Sequence, residues 1–218
     1  MAMYEKELGA LLPRCFEMYD FMAEHVEQLQ HLGAVPELKC RMAFHSGILS
    51  FEHGLSSLKL IADGFTSSGF ALMRPQYESL IRGFWLMYAD TEDWFNKLAT
   101  AGKVGPDQIK KLETPLIANM LNALDNSEAP AHILGQLNDF RGVNNSAFNS
   151  FTHSGLAALV SNGLGYEPKV IYDSLRNCNA VAAINMQMLS ILTGYEEAME
   201  PIRKMHHHFV DCLPIIHG

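Results

Sequence analysis

Apolar residues recur every three or four positions along almost the whole chain, and this spacing constrains the fold more than any other feature. In residues 5–31 the recurring positions include Leu8, Leu11 and Cys15, a pattern that places them on one face of an α-helix. Alternation of apolar and polar residues over strand-length windows is almost absent. The sequence therefore predicts an all-α fold.

Gly, Pro and Asn residues divide the chain into predicted helices. These helices cover residues 5–31, 37–63, 69–90, 91–101, 107–124, 144–160, 168–192 and 196–212. The segment 69–90 is apolar on all sides, which predicts a central helix surrounded by others. We expect one domain over residues 1–218, a bundle of about five to seven helices. The more polar residues 91–135 form a short helical insertion or lid, with a local concentration of Lys at Lys103, Lys110 and Lys111.

Composition favours a folded chain with a large core, because 48% of the residues are hydrophobic and 18% are charged. The net charge of −8 offers no overall basic surface for a nucleic-acid backbone. Any nucleic acid would have to meet a local basic patch.

The compartment is predicted from the cysteines and from the apolar runs. Four cysteines are widely spaced and none forms a C-x-x-C pair, which argues against a zinc knuckle or a disulfide scaffold. No run of about 18 apolar residues predicts a membrane span, and charged Glu5, Lys6 and Glu7 replace the start of a signal peptide. We expect a cytoplasmic protein with no membrane partner.

A row of charged residues runs along the predicted central helix. Arg74, Glu78 and Arg82 follow one another at a spacing of four, so they share one face of the helix. Two interpretations remain open. The row is either a buried ion-pair network in which Glu78 bridges two guanidinium groups, or part of a functional site.

Two more polar rows have the same spacing. Asn145, Asn149 and His153 form one row on the helix predicted at 144–160, and Arg141 would join it only if that helix begins early. The other row runs down the second helix. It consists of Arg41, His45 and, less regularly, His53. Three polar rows on helices that pack together raise the prospect of a shared polar pocket.

Such a pocket would have a definite chemistry. His153 would donate or accept a proton near neutral pH. Arg74 or Arg82 would stabilise a phosphate or carboxylate through a planar fork, and Asn149 would orient either group. This combination suits metal-free phosphodiester cleavage or plain anion binding.

Metal and cofactor sites have weaker support. The three adjacent residues His206–His208 point around a helix rather than toward one ion, although His208 and Cys212 could form half of a site. Phosphate-binding glycine loops, nucleophile elbows, zinc-protease motifs and calcium-binding loops are all missing from the sequence. We therefore expect no cofactor and no metal.

With these rows described, the chain resembles a known group. The central-helix pattern of Arg74, Pro75, Glu78, Arg82 and Trp85, followed by Asn149, His153 and Gly155, resembles uncharacterised bacterial helical proteins related to the HEPN superfamily. These occur in phage-defence (abortive-infection) and toxin–antitoxin systems. The likeness extends from about residue 44 to residue 192.

The resemblance implies a HEPN-like, up-and-down helical bundle, often a homodimer, and, in active members, a metal-independent endoribonuclease. Those enzymes place an Arg shortly before a His at the dimer cleft, whereas here Asn149 occupies the position one turn before His153. The implied catalytic set is His153 as general acid or base, Arg74 or Arg82 as the cation, Glu78 to orient that Arg, and Asn149.

Two functions are favoured, and a third class, a structural or immunity-type interaction protein, remains open. One is a ribonuclease of a phage-defence or toxin–antitoxin system, with RNA as substrate and a cognate antitoxin as protein partner. The other is a non-catalytic bundle that binds a small anionic ligand, a nucleotide or a partner protein. If Arg74, Arg82 and His153 converge at a site open to solvent, either function is supported. If they are buried and paired with one another, they are architectural.

Overall fold

A computed structural model describes residues 2–89 and 91–214, except for the side chains of residues 2, 110 and 143–148. All regular secondary structure in these residues is helical, which confirms the predicted all-α class. The ten α-helices are α1 (Ala2–Leu32), α2 (Leu38–Ala62), α3 (Thr66–Tyr88), α4 (Glu92–Val104), α5 (Pro106–Lys110), α6 (Ile117–Asp125), α7 (Ala131–Thr152), α8 (Leu156–Leu164), α9 (Pro168–Leu192) and α10 (Glu200–His208). Two 3₁₀ segments, Glu196–Met199 and Val210–Cys212, flank α10. Across the described range, no helix combines the length and apolar character needed to cross a membrane.

The described residues form ten α-helices where the sequence predicts eight, because two predicted helices are each divided. The expected count of five to seven helices in the bundle is not confirmed. The segment predicted at 107–124 is interrupted between α5 and α6 around Pro115. Proline lacks a backbone donor and disfavours helical geometry in the residue before it. Leu116 then caps α6 in an extended conformation, with φ −61° and ψ 148°. The second division, at the end of α7, is described with the site.

Helix α3 lies at the centre of the described fold, as its apolar sequence predicts. It packs against α2, α6, α7 and α9. Leu80 and Ile81 on this helix have no exposed surface, and Trp85 is buried as well. The helix continues through Pro75 without ending. The central position means that any side chain projecting from α3 meets a neighbouring helix or a gap between helices.

Serine side chains hold α3 against α2. Ser46, Ser50 and Ser57 on α2 each donate a hydrogen bond of 2.8 Å to a carbonyl oxygen of α3. The helices come so close that a Cβ at Gly69 would lie 2.9 Å from the Ser57 carbonyl oxygen. At 100° per residue, the carbonyls bound by these serines and the row at Arg74 lie on opposite sides of α3. The interface with α2 therefore turns the charged row away from α2.

A buried histidine joins α1 to α9 and makes the stability of the fold depend on pH. His25 is 4% exposed, and its Nε2 lies 2.9 Å from the Ser190 hydroxyl oxygen. Burial lowers the pKa of His25 below its ordinary value. The unfolded chain consequently takes up a proton at a higher pH than the folded chain does.

We predict that the free energy of unfolding falls as the pH drops below about 6.5, and that this loss levels off once folded His25 is itself protonated. His25→Gln should reduce the loss between about pH 7 and about pH 5 in urea denaturation. Burial also lowers the pKa of His53 and His206, so part of the pH dependence should remain. The control is His132→Gln, which changes an exposed histidine. Equal pH dependence in the parent and His25→Gln would contradict the prediction.

Candidate functional site

The charged row on α3 is only partly buried. The Arg74 Nε donates a hydrogen bond to the Glu78 Oε1 at 2.6 Å. The two side chains are 30% and 28% exposed, and Arg82 is half-buried as well. The row is therefore in contact with solvent, so it is not a sealed ion-pair network.

Helix α7 is held beside this row by aromatic packing and one buried hydrogen bond. The Tyr77 hydroxyl on α3 donates to the Leu137 carbonyl oxygen on α7 at 2.9 Å, and its ring stacks on Phe140 at a centroid distance of 5.0 Å. Nearer the end of α7, Phe151 packs edge-on against Phe70 of α3 at 5.0 Å. Burial raises the pKa of Tyr77 well above its usual range, so the phenol keeps the proton that it donates.

A tight turn ends α7 beside the row. Ser154 adopts a positive φ of 52°, and the Gly155 N–H donates to the Ser150 carbonyl oxygen at 2.6 Å. This is the left-handed helix end in which a residue past the cap closes back on the last turn. The Ser150 hydroxyl oxygen also accepts a bond from the Ala158 N–H in α8. The helix predicted at 144–160 is therefore two helices, and His153 caps the first of them.

The two polar rows meet at Arg74. The Arg74 Nη1 donates to the Asn149 Oδ1 at 2.6 Å and lies 3.4 Å from the His153 Nε2. Since a guanidinium group only donates, Arg74 is the donor in any hydrogen bond between these two groups and the His153 Nε2 is the acceptor. Asn149 and His153 are both exposed. One arginine thus links Glu78, Asn149 and His153 in a cluster that is open to solvent.

A cleft of about 420 Å³ opens beside this cluster. We call it the arginine cleft, and define it by Arg74, Tyr77, Glu78 and Arg82 of α3, Arg141 and Asn149 of α7, and residues 114–118. It contains three guanidinium groups, and Glu78 is the one carboxylate among its described lining residues. Within the described part of the chain, Arg82 and Arg141 form no ion pair or hydrogen bond through their side chains. The cleft therefore carries an excess of positive charge in an acidic protein.

The structure places all five predicted site residues in or beside one cleft. Arg74, Glu78, Arg82 and Asn149 line the arginine cleft, and His153 contacts Arg74 at its edge. The side chain of the sixth polar residue considered, Asn145, lies outside the described part of the structure.

The third predicted row does not join the cleft. Arg41 and His45 are exposed on α2, and His53 is half-buried. His45 lines a neighbouring apolar cavity rather than the arginine cleft. The reason is the position of α2, which packs on the side of α3 opposite to Arg74.

Sequence reasoning did not assign two features of the cleft. Arg141 had an uncertain reach in the sequence because the start of its helix was placed at residue 144. Since α7 begins at Ala131, the spacing of four extends back from Asn149 to Arg141 and puts both on one face. The wall formed by residues 114–118 carries no comparable signal, because it consists of an irregular segment around Pro115 and the first residues of α6.

No metal site is apparent among the described residues, where no three His, Cys, Asp or Glu side chains form a group that could hold an ion. His206, His207 and His208 are exposed on α10, while Cys212 is buried. All four cysteines are free thiols.

Comparison with known proteins places the chain in a family. The family model "Family of unknown function (DUF6988)" matches residues 47–215. The chain belongs to this family. The DUF6988 match includes α3, α7 and every residue of the arginine cleft. No curated protein and no solved structure shows significant similarity to the chain.

Proposed function

We propose that the arginine cleft binds a phosphate-bearing ligand. One observation carries this proposal. Three guanidinium groups line the arginine cleft, and its described lining residues include a single carboxylate. Guanidinium groups bind phosphate oxygens through paired, charge-assisted hydrogen bonds. Arg82 and Arg141 have no carboxylate partner among the described residues, so an anion in the cleft would supply one.

The roles of the lining residues differ. Arg74 is already oriented by Glu78 and Asn149, so it loses little side-chain freedom when it binds an anion. Arg82 on α3 and Arg141 on α7 line the cleft from two different helices, and both would contact the phosphate. The cleft volume of about 420 Å³ lies within the range of sites that bind small molecules.

Binding of inorganic pyrophosphate, measured by isothermal titration calorimetry, tests the proposal. We expect Arg141→Gln to weaken binding by about tenfold to a hundredfold, the usual cost of losing a hydrogen bond to a charged group. The control is Arg203→Gln, which removes an arginine of α10 whose side chain is 66% exposed. This substitution should leave pyrophosphate binding unchanged. Equal affinities in all three proteins would place pyrophosphate elsewhere. A parent protein that binds no pyrophosphate would contradict the proposal.

RNA cleavage is the second candidate function, and a specific contact favours it. The exposed His153 has its Nε2 within 3.4 Å of Arg74, at the edge of the same cleft. In this reaction His153 would take the proton of a ribose hydroxyl, and the freed oxygen would attack the neighbouring phosphorus. The bond to the next nucleotide breaks, its oxygen takes a proton from water or from His153, and a cyclic phosphate remains. Arg74 or Arg82 would stabilise the charge on the phosphorus oxygens, with Glu78 orienting Arg74.

Several expectations stay predictions alongside these functions. The HEPN-like, up-and-down arrangement of the bundle is one of them, as are the homodimer and a cognate antitoxin or other protein partner. A cytoplasmic location and RNA or a nucleotide as the ligand are proposals of the same kind. The bundle arrangement, the homodimer, the protein partner and RNA are supported by the resemblance of the central-helix row and of Asn149, His153 and Gly155 to the HEPN-related group. The cytoplasmic location rests on the widely spaced cysteines.

A further inference from the structure

An apolar cavity of about 370 Å³ adjoins the arginine cleft. We call it the tryptophan chamber, after its lining residues Trp85 and Trp94. The chamber lies between α2, α3, α4 and α5, and its apolar wall also includes Met42, Leu49, Leu98 and Leu112. Arg82 and Thr114 line both the chamber and the cleft. The two spaces are therefore neighbours, with the Arg82 guanidinium group at their boundary.

Two polar groups in the chamber wall are occupied by the protein itself, and His45, Arg82 and Thr114 are the other polar residues in a lining that is otherwise apolar. The Ser46 hydroxyl donates to the Ser79 carbonyl oxygen at 2.8 Å, and the Trp94 Nε1–H donates to the Glu113 carbonyl oxygen at 3.3 Å. A nucleobase placed against the apolar residues of this wall would have to give up hydrogen bonds to water along its polar edge, which is unfavourable. A hydrocarbon chain loses no such bonds and gains from leaving water.

The chamber also presents apolar surface that the described protein leaves uncovered. Leu49 on α2 is 42% exposed and Ile109 on α5 is 43% exposed, and both line the chamber. Each methylene group that leaves water for an apolar site favours binding by about fourfold. A phosphate ligand with a chain of several carbons in the chamber would therefore bind more tightly than a phosphate held by the cleft alone.

We propose that the ligand is an amphipathic anion, with a phosphate in the arginine cleft and an alkyl or acyl chain in the tryptophan chamber. This inference rests on the proposed binding of phosphate in the cleft. The charge supports this orientation, because Arg82 lines both spaces whereas Arg74 and Arg141 line the cleft but not the chamber. Chain length, rather than a base, then determines affinity.

Octyl phosphate, ethyl phosphate and adenosine monophosphate are the probes. We expect octyl phosphate to bind at least about tenfold more tightly than ethyl phosphate, because six further methylene groups can enter the chamber. Tryptophan fluorescence provides a direct second readout, since Trp85 and Trp94 are the two tryptophans of the chain and both line the chamber. Octyl phosphate should shift the emission, whereas ethyl phosphate should leave it nearly unchanged.

Two variants separate the parts of the site. Leu49→Gln should weaken octyl phosphate binding by about tenfold and leave ethyl phosphate binding unchanged, because it makes the chamber wall polar. Arg141→Gln should weaken the binding of both. The control Leu38→Gln alters a leucine of α2 that is 48% exposed and should alter neither affinity. Since Leu49 and Leu38 are both exposed, these substitutions should leave the fold intact.

The outcomes distinguish this inference from the proposed function. Equal affinities for octyl and ethyl phosphate, both lowered by Arg141→Gln, would overturn the chamber and leave phosphate binding intact. Tighter binding of adenosine monophosphate than of octyl phosphate would overturn the alkyl chain in favour of a nucleotide. Octyl phosphate binding that falls in Leu49→Gln but not in Arg141→Gln would show an apolar site independent of the cleft. If neither phosphate ester binds the parent protein, the inference fails, and the pyrophosphate titration decides whether the proposed function fails with it.

Discussion

We expect His153→Ala to slow metal-free cleavage of RNA by about 10²- to 10⁴-fold, the range that a general acid or base contributes. His153 is exposed, its Nε2 lies 3.4 Å from the Arg74 Nη1, and the proposed mechanism assigns removal of the ribose hydroxyl proton to this imidazole. Alanine removes the imidazole without disturbing the core, because the side chain is exposed and lies at the end of α7. The remaining guanidinium groups would still bind the phosphate.

The measurement is cleavage of total RNA or transfer RNA in the presence of a chelator, followed on denaturing gels with analysis of the product ends. His132→Ala is the matched control, since His132 is an exposed histidine at the other end of the same helix. His132→Ala should cleave like the parent protein and leave cyclic phosphate ends. Indistinguishable products from the parent and His153→Ala would exclude His153 as the catalyst. A parent protein that cleaves no RNA would contradict the ribonuclease function and leave ligand binding as the role of the cleft.

Truncation of the central helix should have the largest effect on stability. Leu80 lies on α3 and has no exposed surface, so Leu80→Ala removes buried methyl groups and leaves a cavity that neighbouring helices cannot fully close. We expect a loss of about 2–5 kcal/mol in the free energy of unfolding. Chemical denaturation followed by circular dichroism measures this loss.

Leu49→Ala is the comparison for Leu80→Ala. It makes the same chemical change at a leucine that is 42% exposed on α2, and we expect a loss of about 0.5 kcal/mol or less. Similar losses in the two variants would mean that α3 does not lie in the interior of the bundle. The comparison therefore tests the position of the helix that carries Arg74, Glu78 and Arg82.

Much of the secondary structure could be predicted because helix boundaries have local causes. Helix α9 has the predicted bounds, Pro168–Leu192, since proline is favoured in a first helical turn and glycine follows the end at Gly194. Divided helices were predicted less well. The break around Pro115 and the turn at Ser154 depend on a proline inside a helical pattern and on a serine with positive φ, and neither gives a decisive signal in sequence.

The candidate site was predictable in its parts. A spacing of four places Arg74, Glu78 and Arg82 on one helix face, and Asn149 and His153 on another. Arg141 could join them only once the start of α7 at Ala131 was known. Residues 114–116 form an irregular segment before α6, so the place of this segment in the wall of the cleft was not predictable.

The sequence by itself determined that the chain is helical and which polar residues share a helix face, because the direction of a side chain on a helix depends on local spacing alone. Only the tertiary structure decided that the faces of α3 and α7 meet at Arg74 and that their meeting point opens to solvent. That outcome depends on contacts between distant parts of the chain, such as the hydrogen bond from Tyr77 to Leu137, which are 60 residues apart. It also depends on the serines of α2, whose hydrogen bonds turn the charged face of α3 toward α7.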